Sequence, residues 1–304
     1  MTNQWAIAIH GGAGAIPADL DPQRKADITA LLESIVRASS TLLEAGAFAI
    51  DVAQHAVQLL EDEPTFNAGH GAVLCADGTH ELEAAIMDGH TGSAGAVALM
   101  RTTQNPIAAA RAVLKTGSHV MLVGASADAM AQRSGLPHVD NTAFTTPHRK
   151  AAFERWRDGR DSGPHHATVG AVVLDMQGKL AAATSTGGTT GKTPGRIGDA
   201  PLIGAGTWAD RQVAVSCTGH GEDFMRHGTA RHVSDRVGLL GETVTQATAA
   251  TLAAMPDACG GLIAVSCTGE ITMPFTSKGM YRAAAGSRQA VQVGIGPDSD
   301  SALD

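Results

Sequence analysis

A threonine stands where a polar stretch of the sequence gives way to an apolar β-type run. Thr168 follows His165-His166-Ala167 and precedes the apolar residues 170–175. If the peptide bond before Thr168 were cut, the freed α-amine would lie beside the hydroxyl, so the residue would carry both a nucleophile and its own base. Most threonines that begin strands only fill a pleated surface. The catalytic interpretation therefore requires partners elsewhere in the chain.

Such partners are present at several glycine-rich turns. Hydrolysis of an amide requires an oxyanion site and groups that anchor the charged ends of the substrate. Thr186 offers a second hydroxyl, and the Thr218-Gly219 turn offers backbone amides for an oxyanion. Arg196 and Asp199 suit a carboxylate and an ammonium group, the two charges of an amino acid. No Ser-His-Asp order and no G-x-S-x-G elbow competes with this set.

Two nucleotide-binding patterns fail on their spacing. A dinucleotide fingerprint needs G-x-G-x-x-G, whereas Gly12 and Gly14 are followed by Pro17. The segment Gly191-Lys192-Thr193 suggests a phosphate loop, but the preceding glycine is one residue out of place. We therefore reject both nucleotide readings.

Two clusters of polar residues have a simpler interpretation than chemistry. Glu81 and Glu83 share a strand face, and paired carboxylates serve glycosidases. Alternating charges on a solvated strand face are much more common, so we interpret both residues as surface charges. His227 and His232 are five residues apart, which does not match the H-E-x-x-H spacing of a zinc site.

The composition is typical of a globular α/β protein without a nucleic-acid partner. The chain has 304 residues, of which 43% are hydrophobic and 17% charged, and its formal net charge is −8. It has no long basic run, which argues against nucleic-acid binding. Its four cysteines include no C-x-x-C pair, so we expect reduced thiols. The first residues lack the pattern of a signal peptide, and no stretch is apolar enough for a membrane helix. We expect a cytoplasmic location.

Hydrophobic periodicity predicts alternating helices and strands. We predict helices over residues 22–45, 47–60 and 105–114, and a long helical region over 224–254. The predicted strands are 5–10, 93–100, 119–124 and 213–216, with hairpins formed by 72–75 with 81–87 and by 170–175 with 179–185. The polar residues from about 140 to 167 are predicted to form a mobile linker. This alternation does not distinguish a sandwich of two sheets from a doubly wound sheet.

Eight motifs, in order along the chain, resemble one known family. They are IHGGAG at 9–14, FNAG at 66–69, HELEA at 80–84, TVGAV at 168–172, ATSTGG at 183–188, PGRIGD at 194–199, SCTG at 216–219 and GMYRA at 279–283. Over nearly its whole length the chain resembles the plant-type L-asparaginases, also called isoaspartyl peptidases or β-aspartyl-peptidases, which are N-terminal-nucleophile hydrolases made as inactive precursors.

The resemblance implies a fold, a maturation step and a reaction. The fold would be α+β, a four-layer αββα sandwich in a single domain over residues 1–304. Self-cleavage between Ala167 and Thr168 would yield an α-chain 1–167 and a β-chain 168–304. The mature enzyme would hydrolyse L-asparagine to L-aspartate and ammonia, and would cleave β-aspartyl dipeptides through an ester on Thr168. Family members assemble as dimers of αβ heterodimers.

The resemblance also assigns residues to three groups. The implied catalytic residues are Thr168, Thr186, Thr218, Gly219 and Asn67. The implied substrate-binding residues are Arg196, Ile197, Gly198, Asp199, Thr218, Gly219, His220 and Gly221. A structural sodium ion would be held mainly by backbone carbonyls of Leu60, Glu61, Glu63, Phe66, Ala68 and His70. Catalysis itself would need no cofactor.

Three positions depart from the family pattern. Ala167 stands where glycine usually precedes the nucleophile, which would slow maturation. His220 stands where a smaller residue is common, and Thr276 where asparagine is frequent. Two alternatives therefore stay open beside the asparaginase reading. One is a glycosylasparaginase-like hydrolase, and the other is an unprocessed, non-catalytic relative.

Overall fold

The described part of the chain, residues 4–14, 16, 20–160 and 168–296 of a computed structural model, contains both strands and helices. The strands are β1 (Ala6–Gly14), β2 (Leu82–Asp88), β3 (Ala94–Met100), β4 (Met121–Val123), β5 (Val169–Leu174), β6 (Leu180–Thr186), β7 (Thr207–Ala209), β8 (Val213–Gly219), β9 (Gly260–Ser266), β10 (Ile271–Thr272), β11 (Gly279–Gly286) and β12 (Gln289–Gly294). The helices are α1 (Pro22–Glu44), α2 (Ala49–Asp62), α3 (Pro106–Thr116), α4 (Gly124–Arg133), α5 (Pro147–Arg157), α6 (Gly221–His227), α7 (Thr229–Leu240) and α8 (Val244–Ala253), with a short 3-10 helix at Asn141–Phe144.

The strands form two sheets. The larger sheet has the order β12-β11-β1-β5-β6-β2-β3-β4, and the smaller has the order β10-β9-β8-β7. Strands from both sides of Thr168 are interleaved in the larger sheet, since β5 and β6, which follow Thr168, lie between β1 and β2, which precede it. Residues before and after the expected cleavage point thus belong to one continuous sheet.

Three hydrophobic layers hold the sheets and helices together. Alternate side chains of β5 point in opposite directions, as expected for a strand. Val173 packs with helices α1 to α3 on the outer face, while Val172 packs against the smaller sheet. A third cluster joins the outer face of the smaller sheet to α7 and α8. This order of helices, sheet, sheet and helices confirms the predicted α+β sandwich.

Local signals account for the helices that the sequence predicted. Helix α1 begins where the Asp21 carboxylate accepts a hydrogen bond from the Arg24 amide at 3.0 Å and where proline occupies the first turn. Its buried residues recur at helical spacing and face the larger sheet, among them Ile28, Leu32 and Ile35. None of the helices in the described residues is long and apolar enough to cross a membrane.

One predicted hairpin is wrong. Residues 72–75 do not pair with 81–87, because β2 lies between β3 and β6 instead. The backbone of residues 72–75 instead forms hydrogen bonds with other loops. The Val73 amide donates to the Asn67 side chain, and the Leu74 carbonyl accepts from the Gly191 amide.

The predicted long helical region at 224–254 is interrupted. Gly228 and Gly241 adopt left-handed conformations there and divide it into α6, α7 and α8.

The predicted linker contains regular structure in its first part. Residues 141–144 form the 3-10 helix and 147–157 form α5, which begins with a Thr146 cap and a proline in the first turn. Arg149 in α5 is buried and donates to the Gly71 carbonyl. The remaining residues 161–167, including Ala167, lie outside the described residues.

A single carboxylate joins helix α2 to the β5–β6 turn, and its removal should destabilise the fold. Helix α2 has no side-chain cap of its own, but the buried Asp175 carboxylate accepts from the Ala49 amide at 2.8 Å and from the amides of Gln177 and Lys179 at 2.9 Å. We expect Asp175→Ala to lower the free energy of unfolding by about 2–3 kcal/mol, because three amides lose their acceptor. Urea denaturation measures this loss.

The matched control is the exposed Asp77, which accepts from the amide and hydroxyl of Thr79 in another turn. Because water replaces those hydrogen bonds, Asp77→Ala should cost less than about 1 kcal/mol. Equal losses in the two variants would contradict a special role for Asp175.

Candidate active site

Three threonine side chains meet at the beginning of β5. The antiparallel register of β5 and β6 places Val169 opposite Ser185, so Thr168 lies beside Thr186. The Thr168 hydroxyl donates to the Thr186 hydroxyl at 3.2 Å, and the Thr168 amide donates to the Thr218 hydroxyl at 3.4 Å. Thr168 is only 6% exposed. The two sheets together therefore surround one buried hydroxyl with two others.

Backbone amides fix the two partner hydroxyls. The Thr186 hydroxyl accepts from the Gly188 amide at 3.0 Å, and the Thr218 hydroxyl accepts from the Ala13 amide at 3.1 Å. Each hydroxyl thus keeps its own proton available for donation to a further group. The arrangement can orient a nucleophile at Thr168 and supply hydrogen bonds around it.

A buried histidine, which sequence reasoning missed, holds the Thr168 backbone. His10 Nδ1 lies 2.8 Å from the Thr168 carbonyl oxygen, and Nε2 lies 2.9 Å from the Ser216 hydroxyl. Burial lowers the pKa of His10 to about 3, although the bond to Thr168 opposes that shift. The ring is therefore neutral, with Nδ1 donating to the carbonyl and Nε2 accepting from Ser216. A Cβ atom at Gly170 would collide with both side chains, so this contact requires glycine there.

Thr218 and Gly219 are the last two residues of β8 rather than the predicted turn, and Gly219 has a conformation that only glycine adopts readily. Gly219 has φ +148°, and a Cβ there would collide with the Cys259 carbonyl. Gly219 pairs with Gly260 in the smaller sheet. Thr276 supports this pairing partner, since its amide and hydroxyl both donate to the Gly260 carbonyl, at 2.7 and 3.2 Å. Thr276 thus contacts the strand that pairs with the predicted oxyanion residues Thr218 and Gly219.

Arg196 and Asp199 form a pair of charged groups beside a glycine. Arg196 makes two hydrogen bonds of 3.0 Å to the Glu222 carboxylate. Asp199 is buried, and its Oδ2 atom has no hydrogen-bond partner among the described residues. Burial raises the pKa of Asp199 to about 7, partly opposed by Arg196. A Cβ on Gly221 would lie 2.9 Å from both Arg196 Nη2 and Asp199 Oδ1, so glycine leaves space between the two charges.

This pair suits the two charged groups of an α-amino acid. A guanidinium binds a carboxylate in a bidentate manner, and an unpaired buried carboxylate attracts an ammonium group. Ile197 and Gly198 complete the same loop, and Gly198 is buried. His220 is 42% exposed in its side chain and bonds through Nδ1 to Asp223 at 2.7 Å. It lies at the start of α6, beside Gly221 and Glu222.

Asn67 organises a loop near the threonines. Its side-chain amide donates to the Gly188 carbonyl at 2.7 Å, and its side-chain oxygen accepts from the Val73 amide at 2.9 Å. Its own carbonyl accepts from the Gly187 amide at 3.0 Å. Because Gly188 in turn donates to Thr186, Asn67 acts on the site through this loop.

The loop predicted to bind sodium is tightly curled around backbone carbonyls. The Glu61 carbonyl accepts from the His70 amide at 2.7 Å, and the Glu63 carbonyl accepts from the Phe66 amide at 3.3 Å. A Cβ on Gly69 would lie 2.5 Å from the Glu61 carbonyl oxygen. Carbonyl oxygens suit a hard cation and can each accept a second contact. Within the described residues, no group of three acidic, histidine or cysteine side chains could hold a metal ion.

The interpretation of Glu81 and Glu83 as surface charges is wrong. Both residues are buried, with 4% and 0% of their surface exposed. Glu83 forms an ion pair of 3.0 Å with buried Lys192, and Glu81 forms one of 2.7 Å with Arg101. These cations offset the cost of burying the carboxylates, so the alternating pattern here marks a buried polar layer.

Comparison with known proteins identifies the family. The asparaginase family profile matches residues 3–295. An isoaspartyl peptidase of Salmonella typhimurium is 44% identical over 297 residues, which cover 92% of this chain and 95% of the relative. An isoaspartyl peptidase of Escherichia coli is 45% identical, covering 91% of each chain. An isoaspartyl peptidase/L-asparaginase of Homo sapiens is 37% identical over 98% of each chain.

The fold and the site are those expected of a hydrolase. The match over nearly the whole chain shows that it belongs to the asparaginase family. The family resemblance read from the sequence motifs is therefore confirmed, and with it the predicted class, a hydrolase of the asparaginase and isoaspartyl peptidase type.

His10 should make stability depend on pH. Because its pKa is about 3 in the fold and 6.5 in a free side chain, the unfolded chain binds more protons between these values. The contribution of neutral His10 is thus complete above about pH 6.5 and is lost as the pH falls toward about 3. The Asn side chain in His10→Asn can still donate to the Thr168 carbonyl but does not titrate. The free energy of unfolding of this variant should therefore fall less steeply between about pH 6.5 and about pH 3, by up to about 1.4 kcal/mol per pH unit.

Urea unfolding of both proteins at a series of pH values tests this expectation. The exposed His90 provides the control, because His90→Asn should leave the slope unchanged. A parallel decline in wild-type and His10→Asn protein would show that His10 is not the titrating group.

Proposed function

We propose that this chain is a self-processing threonine amidohydrolase acting on L-asparagine and β-aspartyl dipeptides. The observation that carries the proposal is the position of Thr168, with its hydroxyl 3.2 Å from that of Thr186 and its amide 3.4 Å from the hydroxyl of Thr218. The second support is the charged pair Arg196 and Asp199, which suits the α-amino acid end of such substrates.

Maturation begins with attack by the Thr168 hydroxyl oxygen on the carbonyl carbon of Ala167. The C–N bond breaks, the hydroxyl proton passes to the departing nitrogen, and Ala167 becomes an ester on Thr168. Water then hydrolyses the ester and releases an α-chain 1–167 and a β-chain 168–304. The methyl group of Ala167 restricts its backbone more than glycine would, so we expect slower cleavage than with glycine.

Catalysis uses the new amino group of Thr168 as the base. Its reference pKa of about 7.7–8.0 lets it accept the hydroxyl proton near neutral pH. The hydroxyl oxygen attacks the side-chain carbonyl of the substrate, while Thr218 and Gly219 stabilise the oxyanion. The amine returns the proton to the leaving group, which is ammonia from asparagine or an amino acid from a β-aspartyl dipeptide. Water then releases aspartate from Thr168.

The substrate is oriented by the charges at the other end of the site. Arg196 binds the α-carboxylate in place of its contact with Glu222, and the Asp199 carboxylate, whose Oδ1 atom faces Gly221, receives the α-ammonium group. Gly221 leaves room for the substrate's carboxylate and ammonium groups, since a side chain at this position would lie against Arg196 and Asp199. His220, exposed at the start of α6, is placed to influence which leaving group is preferred.

The names of the relatives support both substrates. The Salmonella and Escherichia relatives are named isoaspartyl peptidases, and the human relative is named for both activities. Assays with asparagine, β-Asp-Leu and glycosylated asparagine distinguish this proposal from a glycosylasparaginase-like enzyme. Absence of cleavage and of ammonia release would instead favour the non-catalytic alternative.

Three further features belong to the proposal by family resemblance. A structural sodium ion would contact backbone carbonyls of the curled loop at residues 60–70, and it would support the loop without entering the reaction. The mature enzyme would assemble as a dimer of αβ units. A cytoplasmic location agrees with the cysteines at 75, 217, 259 and 267, which are all free thiols.

Self-cleavage should depend on the Thr168 hydroxyl. We expect wild-type protein to yield two chains on a denaturing gel, with a new N-terminal threonine by intact mass. Thr168→Ala should stay one chain and release no ammonia from asparagine. Thr168→Ser, which retains a hydroxyl, should still cleave. A wild-type protein that stayed intact on prolonged incubation would refute the proposed maturation.

Substrate binding should weaken in acid. Because the pKa of Asp199 is raised to about 7, its carboxylate loses its charge as the pH falls below that value. We expect KM for asparagine to rise by up to about tenfold per pH unit below pH 7. Steady-state kinetics from about pH 5 to about pH 9 measure this profile. Asp199→Asn should have a high KM that no longer varies over the acidic range, and retention of the wild-type profile would contradict the assignment.

A further inference from the structure

Glu83 connects two separate points of the loop that carries Arg196 and Asp199. Its Oε1 atom accepts from the Lys192 ammonium at 3.0 Å, and its Oε2 atom accepts from the Gly198 amide at 2.9 Å. Lys192 lies before the charged pair, and Gly198 lies within it. Both side chains of the ion pair are completely buried. One carboxylate therefore closes the loop through Lys192 and the Gly198 amide, and leaves the side chains of Arg196 and Asp199 for other partners.

Glu81 makes a second connection of the same kind. Its Oε2 atom accepts from the Gly195 amide at 2.7 Å, and its Oε1 atom accepts from Arg101 at 2.7 Å. The Glu81 carbonyl also accepts from Lys192 at 2.9 Å. The amides held by the two carboxylates thus lie immediately before and two residues after Arg196. The backbone on both sides of Arg196 is therefore held by hydrogen bonds to these carboxylates.

The register of the larger sheet explains why these two residues reach the loop. Glu83 pairs with Thr186, the last residue of β6, from which the loop leaves the sheet. Glu81 lies just before β2, and its side chain reaches the same loop at the Gly195 amide. The loop itself is rich in glycine, with positive φ at Gly188, Gly191 and Gly195. Such a loop has many accessible conformations unless it is held in place.

We infer that Glu81 and Glu83 are positioning residues that hold the Arg196–Asp199 loop ready for the α-amino acid end of the substrate. This inference rests on the proposed function and deepens it. The two carboxylates set the affinity for substrate and product, while self-cleavage and the reactivity of Thr168 do not depend on them. Maturation acts on an internal peptide bond and has no need of the charged pair.

The variants must separate loss of the amide acceptor from loss of a buried charge. Glu83→Gln alone would leave the buried Lys192 ammonium without a carboxylate to balance its charge, so Lys192→Met accompanies each change at Glu83. In Glu83→Gln/Lys192→Met the side-chain oxygen can still accept from Gly198, whereas in Glu83→Leu/Lys192→Met it cannot. Glu81→Ala removes the acceptor of the Gly195 amide, and its ion-pair partner Arg101 is partly exposed to solvent. This variant tests the inference even if the protein does not fold with changes at the buried Glu83–Lys192 pair.

We expect a selective effect on binding. Glu81→Ala and Glu83→Leu/Lys192→Met should raise KM for asparagine and the Kd for aspartate by about tenfold, with kcat and the rate of self-cleavage within about threefold of wild type. Glu83→Gln/Lys192→Met should restore most of the affinity. Asp88→Asn, on the same strand but bonded to the His90 and Thr91 amides, is the control and should resemble wild type.

Two other results would overturn the inference. Unchanged KM and Kd in Glu81→Ala and Glu83→Leu/Lys192→Met would show that the loop needs neither carboxylate. Equal losses of self-cleavage, kcat and affinity would show a general structural role. Inactivity of the wild-type protein would count against the proposed function instead. Calorimetric binding of aspartate would then still test the inference, because it measures the loop without requiring turnover.

Discussion

His10 joins the two sheets at the point where the chemistry is expected, because one ring nitrogen bonds to the Thr168 carbonyl and the other to the Ser216 hydroxyl. His10 ends the regular part of β1 in the larger sheet, and its other ring nitrogen accepts from Ser216 in the smaller sheet. This bond is possible only because Gly170 lacks a side chain between them. Thr168 is therefore held through its backbone carbonyl, and its hydroxyl remains available to Thr186.

The site divides into a part for reactivity and a part for binding. The threonines depend on the pairing of β5 with β6 and on the end of β8. The charged pair depends on a glycine-rich loop, which would have little order on its own. Glu83 in β2 and Glu81 just before it supply that order, with Lys192 and Arg101 compensating their charge. The charged pair is therefore positioned by a different strand from those that position the threonines.

Membership of the asparaginase family accounts for the shared motifs, and the departures from its pattern mark what is particular to this chain. His220 stands at the exposed start of α6 and bonds to Asp223. Thr276 supports Gly260 behind the Thr218-Gly219 turn. Both lie at the margins of the site, where a change can alter the preferred leaving group without moving the threonines.

The sequence by itself determined most of the helices, most of the strands and the family, but not α5 in the predicted linker or the division of residues 224–254. Those features depend on local periodicity, caps such as Asp21, and motifs whose order can be read directly. Only the tertiary structure decided that Glu81 and Glu83 are buried, that His10 holds Thr168, and that the carboxylate of Asp175 caps α2. These contacts join residues distant in the sequence. A charge or an imidazole is stable in the interior only where folding brings it a partner, and local patterns do not identify that partner.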